Sequence, residues 1–175
     1  MKKKILLAIF SIGIGSTAFS QSYSVYGTTN GIRNVTPSSV TTYDSYSNSY
    51  STYGTTNGIQ NVTPSSVTTY DSYRNSSSTY GTTNGIKNVT PSSVTTYDSY
   101  NNSYSVYGTT NGIQNVTPNQ VIQSNGNGGY NVYETTNGIR NINPSQVITP
   151  SYSGGYDVYE TTNGIRNVNA SYHVD

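Results

Sequence analysis

His173 is the only imidazole in the 175-residue chain, and the chain has no cysteine. Nucleophilic catalysis needs a base beside the serine, threonine or cysteine nucleophile, together with a group that orients the base. His173 lies close to the end of the sequence and aligns with Val40 of an earlier internal repeat. A solvated terminal histidine is therefore the favoured interpretation, and the sequence predicts a protein that is not an enzyme and uses no cofactor.

The carboxylates do not indicate an acid–base pair or a metal site. Asp44, Asp71 and Asp98 occupy the same place in successive repeats, whereas two catalytic carboxylates need environments that push their pKa values apart. The stretch 154–158, Gly-Gly-Tyr-Asp-Val, is similar to the repeats of calcium-binding β-rolls. It occurs only once in that form, so we expect no metal site.

The first 20 residues have the pattern of a secretory signal peptide. Three lysines follow the initiating Met, a mostly apolar run covers 5–14, and Ala18-Phe19-Ser20 fits a small-x-small cleavage site. The apolar run is too short for a membrane span, which needs about 20 residues. Gln21, directly after this site, resembles the start of exported proteins of the Bacteroidota. We expect a secreted protein at the cell surface or outside the cell, with no membrane insertion after the signal is removed.

The composition of the remaining chain favours β structure and gives no electrostatic attraction to polyanions. After residue 20 there is no Leu, Phe, Met, Trp or Cys, and the apolar residues are almost all Val, Ile and Tyr. These β-branched and aromatic types suit pleated, half-buried surfaces. The same segment has 5 basic and 7 acidic residues, so a basic surface for nucleic acid or anionic membrane is missing.

The chain is built from six copies of one unit. The shared motif is Tyr-(Gly/Glu)-Thr-Thr-Asn-Gly-Ile-x-Asn-(Val/Ile), and the copies span 26–52, 53–79, 80–106, 107–132, 133–158 and the truncated 159–175. In the first unit we predict strands at 23–29, 32–36 and 39–43, with Pro37 as an interruption and 44–49 as a polar connection. Threonines 28 and 29 of the motif face opposite sides of a strand, which disfavours a flat ice-binding array.

Asn30-Gly31 has two interpretations. It can close a hairpin through a type I′ turn, with Thr29 opposite Ile32. It can also form a corner of a solenoid, with each motif residue stacked on its counterpart one repeat away. Because ladders of identical Asn and aromatic side chains stabilise cross-β stacking, we favour the second interpretation. The residues expected to build the repeat and its assembly are the first, fifth, sixth, seventh and ninth of each motif: Tyr26, Asn30, Gly31, Ile32, Asn34, Tyr53, Asn57, Gly58, Ile59, Asn61, Tyr80, Asn84, Gly85, Ile86, Asn88, Tyr107, Asn111, Gly112, Ile113, Asn115, Tyr133, Asn137, Gly138, Ile139, Asn141, Tyr159, Asn163, Gly164, Ile165 and Asn167.

The predicted fold class is therefore all-β, as a six-repeat β-solenoid or cross-β stack. Two alternatives stay open. One is a disordered repeat chain that becomes β on assembly, because Val and Ile are few. The other is an ordinary β-sandwich or barrel.

A signal segment followed by short, uncharged repeats punctuated by Asn-Gly resembles the curlin class of secreted amyloid-forming fibre subunits. The resemblance implies a homopolymer that assembles edge to edge into extracellular or cell-surface fibres for biofilm matrix or adhesion, with an outer-membrane secretion or nucleator protein as a further partner. A monomeric surface module that binds glycan or another cell surface is the alternative function.

Overall fold

A computed structural model describes residues 22–175, and these residues form an all-β structure of 18 strands. The predicted signal segment and Gln21 lie outside the described residues. Within residues 22–175 no helix is long and apolar enough to cross a membrane. The strands are β1 (Tyr23–Thr29), β2 (Ile32–Arg33), β3 (Ser39–Asp44), β4 (Ser49–Thr56), β5 (Ile59–Gln60), β6 (Ser66–Asp71), β7 (Ser76–Thr83), β8 (Ile86–Lys87), β9 (Ser93–Asp98), β10 (Ser103–Thr110), β11 (Ile113–Gln114), β12 (Gln120–Ser124), β13 (Tyr130–Thr136), β14 (Ile139–Arg140), β15 (Gln146–Pro150), β16 (Tyr156–Thr162), β17 (Ile165–Arg166) and β18 (Tyr172–Val174).

Each repeat contributes one long strand, one two-residue strand and one returning strand. In the first repeat β1 forms a short hairpin with β2 and then pairs with β3, which runs back antiparallel to it. The strand predicted at 23–29 is confirmed, and the one predicted at 39–43 extends by one residue to Asp44. The strand predicted at 32–36 ends at Arg33.

The six long strands and the six returning strands, here together called the long strands, form a closed barrel. Each of these twelve pairs antiparallel with the one before and the one after it, and the six two-residue strands lie outside this ring. The last strand, β18, closes the ring because it pairs with both β16 and β1, placing Val174 opposite Tyr156 and opposite Val25. The predicted β-solenoid or cross-β stack is therefore wrong, and so is the disordered alternative. The barrel was the least favoured of the three interpretations.

The connection between repeats explains why the copies do not stack like on like. Asp44 accepts hydrogen bonds from the Tyr46 N–H and the Ser47 hydroxyl, and Asn48 has φ of 47°. This tight turn reverses the chain, so β3 pairs antiparallel with β4 and Val40 lies opposite Tyr53. A solenoid would instead have placed Tyr26 on Tyr53. The amyloid-like ladder is lost for the same reason.

The strand register advances by two residues with every repeat. Tyr23 and Thr52 both lie opposite Thr41, one on each neighbouring strand. Counted from the first tyrosine of each motif, Thr52 stands two places further along its repeat than Tyr23 does along the first repeat. Six such steps stagger the closed sheet by 12 residues. A stagger of this kind tilts the strands by the roughly 35–45° found in barrels.

Alternate residues of the long strands fill the interior. Toward the connections between repeats the interior is aromatic, with Tyr43 against Tyr50 at 4.8 Å between ring centroids and Tyr97 against Tyr104 at 4.7 Å. The neighbouring level is β-branched: Thr41, Thr68, Thr95, Ile122, Val132, Ile148 and Val158 are all at most 1% exposed. The early repeats use Thr at this level and the later ones use Val and Ile, so hydroxyl pairs replace aliphatic contacts.

The Thr68–Thr79 pair gives a first testable prediction. Their hydroxyl oxygens are 3.0 Å apart on opposing strands, and the corresponding pairs in later repeats are Ile122 with Val132 and Ile148 with Val158. We expect Thr79→Val alone to lower the free energy of unfolding by about 1–3 kcal/mol, because it leaves the hydroxyl of Thr68, which is 1% exposed, without its partner. The double variant with Thr68→Val should be close to neutral. Urea titration of both single variants and the double variant measures this coupling, and additive losses would contradict it.

Candidate functional site: the two ends of the barrel

Six hairpins project from one end of the barrel, here called the hairpin end. In the first, Asn30 and Gly31 have φ of 52° and 81°, as a type I′ turn requires. Thr29 lies opposite Ile32, and Thr28 lies opposite Arg33. The hairpin interpretation of Asn-Gly is therefore correct, and the solenoid corner is wrong.

The two motif threonines donate hydrogen bonds to different partners. Within each hairpin the second threonine donates to the ninth motif residue, as Thr29 does to Asn34 Oδ1 at 2.9 Å. The first threonine donates to the preceding repeat, as Thr55 does to the Pro37 carbonyl at 2.5 Å. The same contact to the preceding repeat recurs around the barrel as Thr82 to Pro64, Thr109 to Pro91, Thr135 to Pro118, Thr161 to Pro144 and, across the closing seam, Thr28 to Ala170. The hairpins therefore form one hydrogen-bonded ring, which the pattern of threonines could have suggested.

The glycine of each hairpin sits close to the preceding unit. A Cβ on Gly58 would lie 2.6 Å from the methyl carbon of Thr36, and Gly31 faces Asn169 across the seam in the same way. A side chain at this place would both clash and strain a backbone at positive φ. The ring is consequently packed as well as hydrogen-bonded.

The first tyrosine of each motif lies on the outer wall. Four of these rings carry a cation from the adjacent two-residue strand at 4.2–4.5 Å from the ring centroid: Arg33 over Tyr26, Lys87 over Tyr80, Arg140 over Tyr133 and Arg166 over Tyr159. In the second and fourth copies Gln60 and Gln114 occupy the place of the cation. Cation–π pairs of this kind contribute about 0.5–1 kcal/mol at exposed sites. The sequence showed the variable position but not the ring beneath it.

The motif isoleucines are the most unusual feature of the hairpin end. Ile32, Ile59, Ile86, Ile113, Ile139 and Ile165 are each 74% exposed, and Val35, Val62, Val89, Val116, Ile142 and Val168 are 94–98% exposed. We call these twelve side chains the aliphatic ring. Four of the five kinds of predicted repeat residue thus lie in the hairpins at one end of the barrel, and the fifth, the first tyrosine, lies on the outer wall beside them. They are arranged around it and do not form ladders along it.

The opposite end, here called the loop end, carries tyrosines and carboxylates. Tyr46, Tyr73, Tyr100 and Tyr152, here called the loop tyrosines, are at least 95% exposed on the connections between repeats. Asp44, Asp71 and Asp98 begin three of these connections. The Ser47 hydroxyl holds the pKa of the Asp44 carboxyl below its usual value, and the Asn101 side chain does the same for Asp98. Arg74 lies 3.9 Å from Asp71.

His173 lies at the seam where the barrel closes, and it is only 3% exposed, so its interpretation as a solvated terminal histidine is wrong. Its Nδ1 lies 2.7 Å from Asp157 and its Nε2 lies 2.8 Å from Asp175. Asp175 also bonds to Arg33 of the first repeat at 2.5 Å. Because both ring nitrogens contact carboxylates, neither is free to activate a nucleophile. The cluster ties the two termini of the barrel together.

The stretch 154–158, which is similar to calcium-binding repeats, forms a turn and one contact of the seam. Gly154 and Gly155 turn the chain between β15 and β16 with φ of 94° and 66°, and Asp157 then contacts His173. In the part of the chain that the structure describes, no group of three or more His, Cys, Asp or Glu side chains could hold a metal ion.

Comparison of this chain with protein-family models, with curated proteins and with solved structures finds no match.

Proposed function

We propose that this chain is a secreted structural protein that self-associates into extracellular or cell-surface assemblies as folded barrels. The observation that carries the proposal is the aliphatic ring. Its twelve aliphatic side chains are each at least 74% exposed at one end of the barrel, and large exposed apolar patches mark interaction sites on soluble proteins. Secretion rests on the pattern of residues 1–20, and it remains part of the proposal.

The mode of association differs from that of the curlin class. A closed barrel has no free strand edge at which another chain could add a strand, and β18 occupies the last edge of β1. Association through amyloid-like edges is therefore not proposed. The exposed ends of the barrel are the surfaces that remain for contacts between copies, and an outer-membrane partner for export stays an expectation from the resemblance.

The test is the mass of the full chain as a function of concentration, measured by sedimentation velocity and followed by electron microscopy of the secreted fraction. We expect the average mass to rise with concentration. The triple variant Ile59→Thr, Ile86→Thr, Ile113→Thr should weaken association at least about tenfold, which corresponds to 1.4 kcal/mol. The control is Val40→Thr, Val67→Thr, Val94→Thr, which changes half-buried positions on the outer wall. A mass that stays monomeric at every concentration would contradict the proposal.

A monomeric module that binds glycan or another cell surface is the second candidate. The observation that favours it is the set of tyrosine rings on the outer wall, because aromatic faces pack well against partly apolar ligands. Four of these rings are covered by cations, which leaves less aromatic surface for a ligand. A concentration-independent monomer that still binds cells would favour this candidate.

A further inference from the structure

The aliphatic ring surrounds the mouth of the barrel. Side chains alternate between the two faces of a strand, and Val25 points inward against Val174. Thr29 stands four residues further along the same strand and therefore lies on the same face, and Ile32 lies opposite Thr29. The isoleucine side of each hairpin thus continues the inner face of the barrel. Six repeats therefore place six isoleucines in a circle around the hairpin end.

The loop end carries a second set of exposed side chains with large apolar surface. The loop tyrosines stand on four of the five connections between repeats, so they are distributed around the barrel with the same repeat as the isoleucines. Tyrosine combines a large apolar ring with a polar tip, and for this reason it is enriched where a surface is buried on association.

The charges of the two ends are opposite. The two-residue strands at the hairpin end carry Arg33, Lys87, Arg140 and Arg166, while Glu134 and Glu160 lie on the long strands nearby. The connections at the loop end carry Asp44, Asp71 and Asp98, with Arg74 as their cation. The Arg33 guanidinium is bonded to the Asp175 carboxylate, so the net formal charge at the hairpin end is +1, from four cations and three carboxylates. At the loop end it is −2, from three carboxylates and one cation.

We propose that the hairpin end of one copy seats on the loop end of the next, so that barrels stack head to tail along a common axis with the aliphatic ring against the loop tyrosines. This inference rests on the proposed function, because it takes self-association as given and assigns its surfaces and its direction.

The available area is sufficient for a specific contact. Four tyrosines that each bury about 150–250 Å² supply roughly 600–1,000 Å² on one side. Stable interfaces bury about 800 Å² on each partner. The twelve side chains of the aliphatic ring form the other side.

Electrostatics select the direction. Joining two hairpin ends would bring together two surfaces with a net positive charge, and joining two loop ends would bring together two surfaces with a net negative charge. Like charges across an interface are unfavourable, and opposite charges steer the two partners into register. Head-to-tail contacts join different surfaces, and where the rotation does not close they generate open filaments. A coaxial stack is such a filament.

The test uses two blocked forms of the full chain. The hairpin-blocked form carries Ile59→Glu and Ile86→Glu, and the loop-blocked form carries Tyr73→Lys and Tyr100→Lys. All four side chains are at least 74% exposed, so the barrel should fold, and circular dichroism checks this for both forms. A second, milder pair uses Ile59→Thr, Ile86→Thr and Tyr73→Ser, Tyr100→Ser, which place residue types that the chain already contains at these ends.

Each blocked form alone should be monomeric at concentrations where the unaltered chain assembles. An equal mixture of the two should form a one-to-one dimer, because each form keeps the end that the other has lost. Two blocked forms that each still dimerise alone, or a mixture that stays monomeric, would overturn the head-to-tail assignment while leaving self-association intact. An unaltered chain that is monomeric throughout would instead defeat the proposed function.

Discussion

A chain that ends at Asn169 should lose its cooperative unfolding transition and aggregate. The missing residues 170–175 include β18, which closes the barrel between β16 and β1. They also include Val174, which is 1% exposed, and the seam cluster of His173 and Asp175. Burial of one valine contributes about 1.5–3 kcal/mol, and two long strands lose their partner at the same time. The free energy of unfolding of native proteins is only about 5–15 kcal/mol, so this loss is a large part of the total.

Substitutions at Val174 distinguish the effect of losing barrel closure from the effect of shortening the chain. Val174→Asp should unfold the barrel, because it places a carboxylate in the core beside Tyr156 and Val25. Val174→Thr is the matched control and should be tolerated, since Thr41 occupies the corresponding place in the first repeat at 0% exposure. Circular dichroism during urea titration measures both variants. A truncated chain that unfolds cooperatively near the full chain's midpoint would show that the seam contributes little.

The aggregates of the truncated chain should differ in kind from any assembly of the full chain. Opening the seam exposes the edges of β1 and β16, and unpaired edges with high β-propensity and little charge template cross-β growth. We therefore expect a reflection near 4.7 Å along the fibre axis from the truncated chain, because cross-β strands run perpendicular to that axis. In filaments of the full chain the strands would be tilted by about 35–45° from the barrel axis, so no reflection of this spacing should lie along the fibre axis. The resemblance to amyloid subunits would then describe the opened barrel.

Alkaline pH should unfold the barrel through its interior tyrosines. Burial raises the pKa of Tyr23, Tyr50 and Tyr104, which are only 5–7% exposed. In the unfolded chain these phenols ionise near pH 10, so their stabilising contribution is complete below pH 10 and is lost as pH rises toward the folded-state pKa. Each can remove up to about 1.4 kcal/mol per pH unit, or about 4 kcal/mol for the three together.

The measurement is the urea midpoint between pH 8 and 12, together with tyrosinate absorbance. Tyr104→Phe removes one buried ionisable group and should make the fall in stability above pH 10 shallower. Tyr46→Phe is the matched control and should leave it unchanged, because Tyr46 is 99% exposed. Complete ionisation of all 19 tyrosines at pH 10–11 with the barrel still folded would rule out this account.

The positions of strands and turns could be predicted from the sequence, but the pairing of the strands could not. The β-branched and aromatic residue types predicted β1 and β3, and Asn30-Gly31 predicted a turn, which was wrongly favoured as a solenoid corner. Stacking like on like and pairing β3 with β4 satisfy the same residue pattern, and the choice depends on the turn made by Asp44 and Asn48. A turn of a few polar residues carries a weak signal, so the antiparallel pairing and the barrel were kept only as less favoured alternatives.

The candidate site was predictable residue by residue and not as a surface. The motif residues from Tyr26 to Asn34 were identified because they recur, and the structure places the copies of Asn30, Gly31, Ile32 and Asn34 in the hairpins, with the tyrosines on the adjoining outer wall. Their exposure was not predictable, because a repeated isoleucine normally indicates a core position. The seam was missed as well, since the contacts of His173 with Asp157 and Asp175 exist only once the ring has closed.

Ring closure also constrains how this gene can vary. Copies one to three are nearly identical, and such tandem copies are prone to gain or lose a unit when DNA recombines out of register. A solenoid tolerates a changed number of units, because each unit contacts only its neighbours. Here an extra unit would add two strands and widen a barrel whose diameter is set by strand number, leaving its tyrosine interior unfilled. Inherited changes should therefore appear as substitutions in the exposed positions of existing copies and not as changes in copy number.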